Sequence, residues 1–186
     1  PFQMNESADW RRSIIDNVLC QSFPEYAAHL SRFKRILNQR NALLRYFAEG
    51  RRYDADLLDA LDEDLARESS AVFSLRCLHF PALNSLLLEE YRYLSSGRED
   101  VEIRYESQLE QIPATDLLRS RRQQDLEAGR STAGIQRDDY AYLINGKSLK
   151  KFASQGQQKT WLLAMKFACY RFLSEQLNKP PCLLLD

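Results

Sequence analysis

The chain has 186 residues, 44% hydrophobic and 28% charged, which excludes a disordered or collagen-like polymer and fits one large domain or two small ones. Lys+Arg and Asp+Glu both number 26, so no global field gathers or repels a polyanion. The cysteines Cys20, Cys77, Cys169 and Cys182 form no CxxC pair, and His29 and His79 are the only histidines. That excludes a zinc module and points to a reducing, cytoplasmic setting, with Cys169 and Cys182 expected in the core.

Charge is unevenly spread: nine basic and five acidic residues in 1–52, nine and seventeen in 53–136, eight and four in 137–186. Basic ends around an acidic middle are compatible with a polyanion held near the ends, and equally with a solvated surface. No signal peptide is visible and no apolar run approaches the roughly 20 residues that span a bilayer, so no membrane partner is expected. The chain starts at Pro1 and stops on an apolar run plus Asp186, and both ends read as cuts through a longer polypeptide.

Residues 7–22 read as a helix capped by Ser7 and ended by Phe23-Pro24. In 25–48, Tyr26, Leu30, Phe33, Leu37, Leu44 and Phe47 fall on one helical stripe that Gly50 ends. Residues 54–79 repeat the pattern with Leu58, Leu61, Leu65, Val72 and Leu75, so the two helices are expected to pair antiparallel. Pro81 is expected to start or kink a third helix over about 82–94. Residues 1–95 thus read as a helical arm.

The period then changes. Val101, Ile103 and Tyr105 alternate with charged residues as in a half-buried strand. Helix returns over 115–129, from the candidate cap Thr115 to Gly129. Asn145-Gly146 predicts a tight hairpin pairing 139–144 with about 147–152. A long helix follows over 156–177, broken by Pro180-Pro181, and Cys182–Leu185 is short and wholly apolar, as in a strand buried on both faces.

The strongest chemical signal is Ser154-Gln155-Gly156-Gln157-Gln158 at the start of that helix. A hydroxyl, a glycine and free backbone N–H groups at a helix N-terminus suit a phosphate oxygen, although a plain helix cap has the same composition. Downstream, Asp186 follows the apolar run, where a carboxylate would hold a nucleotide's Mg²⁺. Together they resemble the second half of an ABC-type ATPase head. The basic set Arg32, Lys34, Arg35, Arg40 and Arg45 is a candidate DNA-contacting face or a solvated helix face.

The segment from Gly129 to Tyr140, which contains Arg137-Asp138-Asp139, then Asn145-Gly146-Lys147 and Phe152 to Gln158, resembles the RecF family. Arg11-Arg12 with Ile15-Asp16, and Ser31 to Leu44 with Gln39-Arg40-Asn41 inside it, resemble that family's earlier segments. Ile135 and Gln136 stand where the family usually has proline and histidine, so any role of that histidine is in doubt here.

The resemblance implies a mixed fold, mostly α: a helical arm of antiparallel helices attached to a partial α/β ABC-type ATPase head. Residues 1–130 would form the arm, with a strand near 101–105 and flanking head residues, and 131–186 the C-terminal part of the head. It implies an ATP- and Mg²⁺-dependent protein of recombinational DNA repair and replication. In it Ser154, Gln155, Gly156, Gln157 and Gln158 would contact a nucleotide held by a second copy, and Asp186 would hold Mg²⁺ through water. Arg137, Asp138 and Asp139 would support the site or only brace the start of a strand. The implied partners are DNA at gaps or single/double-strand junctions, RecR and RecO, and an ATP-dependent second copy. No GxxxxGK[ST] motif occurs, so residues 1–186 alone are expected not to hydrolyse ATP. Another SMC-like ATPase head, or a helical adaptor with an incidental cap, remains as an alternative.

Overall fold

The computed structural model describes residues 7–52, 54–177 and 181–182. Among the described residues, six α-helices and one three-stranded sheet run in the order α1 (Ala8–Ser22), α2 (Pro24–Ala48), α3 (Ala55–Ser95), β1 (Val101–Glu106), α4 (Ala114–Ala128), β2 (Asp139–Ile144), β3 (Lys147–Ser148), α5 (Leu149–Phe152) and α6 (Gln155–Gln176). Helix dominates, so the fold is mixed and mostly α. The described residues form two compact units, one within Pro1–Phe23, Cys77–Glu106 and Asp139–Asp186, the other within Pro24–Arg76 and Ser107–Asp138. The units are interleaved in sequence. β1 and β2 share a ladder from Val101↔Ile144 to Glu106↔Asp139.

In the first unit the sheet is antiparallel with order β1-β2-β3. Its buried side chains, Ile103, Tyr140 and Ile144, belong to a core with Ile15, Leu19, Leu87, Trp161 and Phe172. Tyr140 stacks on Tyr105 at 4.9 Å, and Trp161 lies 5.1 Å from Tyr142 and 5.8 Å from Tyr91. The Asn145-Gly146 turn forms as expected, both residues having positive φ (48° and 72°). The hairpin is shorter than expected: β3 has two residues, after which Leu149 is fully buried at the start of the helical turn α5. Ser7 caps α1, its Oγ accepting the Trp10 N–H at 3.2 Å.

In the second unit α2 and residues 55–76 of α3 pair antiparallel, joined by Arg76–Tyr26, His29–Glu68 and Arg40–Asp62 at 3.0, 2.8 and 2.6 Å. Tyr26, Leu30, Phe33, Ile36 and Leu44 are the buried stripe of α2, so Ile36 takes the place expected for Leu37. Thr115 is not a cap: α4 begins at Ala114 behind Pro113, whose fixed φ of −57° already suits a helix start, and no side chain caps it. Gly129 ends α4 in the left-handed region at φ 62°.

Pro81 does not divide α3, which runs unbroken over 41 residues. A proline inside a helix costs about 3 kcal/mol, and here Phe80, Leu83, Leu86 and Leu87 are all buried around it. Burial of four large side chains, each contributing about 1.5–3 kcal/mol, outweighs one lost hydrogen bond. One eighteen-residue stretch of α3, mean hydropathy 1.3, is long and apolar enough to cross a membrane, contrary to the expectation above. The same helix buries Glu68 and Arg76 in ion pairs and keeps Val72, Phe80 and Leu87 out of solvent. Cys182 is exposed, not in the core as expected, and Cys169 is half-buried, with burial pushing its thiol up to about 12. The expected strand beyond Cys182, and Asp186, lie outside the described residues.

Candidate functional site

Ser154 has extended backbone (φ −64°, ψ 162°) and is the N-cap of α6. Its Oγ accepts the Gln157 N–H at 3.2 Å, and Gln157 Oε1 accepts the Ser154 N–H at 2.7 Å. This reciprocal capping box satisfies two backbone donors and fixes the angle at which the chain joins the helix. The Ser154 carbonyl takes the Gln158 N–H at 3.0 Å, and Gln158 Nε2 donates to the Ala153 carbonyl at 3.2 Å. The N–H groups of Gln155 and Gly156 have no partner among the described residues, and both residues are exposed with Ser154.

Gly156 is the informative position. Its φ is not in the left-handed region, and a Cβ there would meet only Ser154 Oγ at 3.9 Å. Nothing among the described residues requires a glycine there, which costs roughly 0.5–1 kcal/mol against alanine inside a helix. Two open N–H groups at the positive end of a 22-residue helix, a surface hydroxyl and no Cβ between them can receive an anionic oxygen at backbone distance. Lys150, Lys151 and Lys159, all exposed, are its basic sequence neighbours. Gln157 is also held from outside the helix: its Nε2 donates to Glu99 Oε1 at 3.0 Å. Sequence reasoning missed Glu99, because the pair is separated by 58 positions.

The Arg-Asp-Asp run is divided by role. Asp139 receives a bidentate pair from Arg11, Nε at 2.8 Å and Nη2 at 2.5 Å, and the Tyr140 N–H at 2.7 Å. Partial burial raises its pKa, but the Arg11 bonds and the Tyr140 N–H outweigh this and hold the carboxyl below its ordinary range. Asp138 is buried and takes Arg76 Nη1 at 2.8 Å. Arg137 is exposed. Asp139 thus pairs with Arg11 in the first unit, and Asp138 with Arg76 in the second.

The candidate DNA-contacting residues also separate. Lys34, Arg35 and Arg45 are exposed on α2, and Arg32 is exposed while bonding Glu68 at 3.1 Å. Arg40 does not belong with them. It is wholly buried, donating to Asp62 at 2.6 Å, Asp125 at 2.7 Å and Ser131 Oγ at 2.8 Å. Asp125 in turn accepts the N–H and hydroxyl of Thr132 at 2.7 and 2.6 Å, so Arg40 anchors the loop after α4. A signal for this was present: Phe33, Ile36, Arg40 and Leu44 lie on one helical stripe. In the same loop Gly134 has φ 120°, and Gln136 Nε2 donates to the Ala133 carbonyl at 2.7 Å.

A mostly helical chain with a small antiparallel sheet and an exposed, glycine-bearing capped helix start is of the mixed, mostly α class. No protein-family model matches it. It is 32% identical over 181 residues to the DNA replication and repair protein RecF of Flavobacterium johnsoniae, covering 97% of this chain and 50% of that protein. It is 34% identical over 179 residues to RecF of Lachnoclostridium phytofermentans, covering 95% and 49%. A solved structure of the recombination mediator RecF with ATP in the RecFOR pathway superposes with a TM-score of 0.87 at 27% identity, covering 97% of this chain and 50% of that one. A second, of RecF with ATPγS, has the same TM-score at 25% identity. The chain belongs with the RecF proteins, and spans about half the length of the relatives it matches.

Proposed function

We propose that this chain supplies the arm and the signature-bearing part of an ATP-dependent RecF-type protein of DNA repair and replication, whose copies associate around ATP and close on gapped DNA. The observation that carries the reading is the exposed helix start at Ser154–Gln158, with two open N–H groups and a glycine that packing among the described residues does not need. In this reading Ser154, Gln155, Gly156, Gln157 and Gln158 of one copy meet the terminal phosphate of ATP held by the other. The Ser154 hydroxyl and the Gln155 and Gly156 N–H groups donate, and Gln157 and Gln158 shape the turn. ATP supplies the anionic bridge when bound. Asp186 would hold its Mg²⁺ through water.

Lys34, Arg35 and Arg45, with Arg32, form the exposed basic face of α2 that this reading assigns to DNA phosphates. RecR and RecO are the further partners that the RecFOR relatives suggest. The test is sedimentation of the full-length protein with and without ATP and Mg²⁺, wild type beside Ser154→Arg. The expected result is an ATP-induced dimer that the variant loses while still binding nucleotide. A wild-type protein that ATP leaves unchanged overturns the reading in favour of an adaptor whose cap is structural only.

A further inference from the structure

We propose that Glu99 is a positioning residue that sets the presented geometry of the Ser154–Gln158 helix start. This rests on the signature reading above. After α3 ends at Ser95, Ser96 and Gly97 turn the chain with φ of 56° and 69°. Gly97 N–H closes the helix on the Arg92 carbonyl at 2.9 Å. Beyond Glu99 the backbone is pinned again: Asp100 N–H donates to Asn145 Oδ1 at 2.9 Å, and Asn145 N–H donates to the Asp100 carbonyl at 2.7 Å. Glu99 thus sits in a short turn fixed at both ends, one end being the β2–β3 hairpin.

From there Glu99 Oε1 accepts Gln157 Nε2 at 3.0 Å. A glutamine amide has a donor end and an acceptor end, and the capping box needs the acceptor end on the Ser154 N–H. An ionised glutamate only accepts, so it holds the Nε2 end and leaves Oε1 for Ser154. Tyr91 faces the same carboxylate. Burial, with the Glu99 charge beside it, pushes the phenol up to about 12, and its hydroxyl makes no hydrogen bond among the described residues. Tyr91 also lies 5.8 Å from Trp161, which is one helical turn beyond Gln157 on α6. The two hydrogen bonds of Gln157, one to Ser154 and one to Glu99, thus fix one amide orientation. The residues it presents, Ser154, Gln155 and Gly156, are on the surface, where the fold gains little from such control.

The experiment compares full-length wild type, Glu99→Leu and Glu99→Gln by three readouts: ATP-dependent dimerisation, nucleotide binding, and hydrogen exchange at the Ser154 amide. Losing one charge-assisted bond predicts that Glu99→Leu weakens dimerisation about tenfold and speeds Ser154 exchange about tenfold. Nucleotide binding should stay within about twofold, since the bound nucleotide is held elsewhere. Glu99→Gln keeps an acceptor and should recover most of both losses. Unchanged Ser154 exchange in Glu99→Leu overturns the positioning role whatever happens to dimerisation. Normal dimerisation in Glu99→Leu beside a Ser154→Arg variant that fails overturns this inference alone. Failure of the wild type to dimerise overturns the signature reading and this inference with it.

Discussion

Replacing Arg40 by methionine removes a guanidinium from a fully buried site and keeps most of its aliphatic volume. Two carboxylates lose a partner at once. Asp125, itself wholly buried, keeps its hydrogen bonds from the Thr132 N–H and hydroxyl. Asp62, 13% exposed, keeps Arg122 at 2.7 Å. Breaking a buried ion pair from one side costs about 3–5 kcal/mol, and the surviving bonds place this case at the low end, about 3 kcal/mol. For a protein of this size that lowers the melting temperature by about 6–12 °C. Urea unfolding gives the free energy directly, with Arg35→Met on the exposed face of the same helix as control, expected within about 0.5 kcal/mol. Should Arg40→Met unfold like the wild type and instead weaken DNA binding, the assignment of Arg40 to the interior would be refuted.

Gly156→Ala should leave stability unchanged or raise it by up to about 1 kcal/mol, because no strain or contact opposes a Cβ there, yet weaken ATP-dependent association; paired melting and sedimentation measurements check both halves. Gly134→Ala should behave oppositely: at φ 120° its Cβ would come 2.7 Å from Gln136 Oε1, so it should destabilise by more than about 1 kcal/mol in urea. The Arg11–Asp139 pair gives a pH prediction. Asp139's folded pKa is lowered, so its contribution is complete above the unfolded value of about 4 and is lost as pH falls through the folded one. Acid unfolding of Arg11→Met followed down from pH 5 should therefore show a shallower loss than wild type below about pH 4, and equal slopes would contradict the pairing.

Local signals were legible. Ser7, Gly50, Gly129, Asn145-Gly146 and the Ser154 cap each act within a few residues through backbone chemistry that tertiary context does not easily override. The failures have a common cause in long-range packing. Pro81 stays inside α3 because buried neighbours outweigh its lost bond. Arg40 reads as surface charge until Asp62 and Asp125 close on it from positions 22 and 85 residues away. Asp138 and Asp139 look alike in sequence, and only the fold assigns one to Arg76 and the other to Arg11. Glu99 carries no local pattern at all, since its meaning lies in Gln157 and in the turn that Asn145 holds.

In the proposed dimer the capped start of α6 meets a nucleotide bound by a second copy. The most direct measurement is an experimental structure of the full-length protein with Mg²⁺ and a non-hydrolysable ATP analogue. The expected result is a dimer in which Ser154 Oγ and the Gly156 N–H lie about 3 Å from terminal phosphate oxygens of the nucleotide held by the other copy. A nucleotide-bound dimer whose Ser154–Gln158 segments face solvent would contradict it.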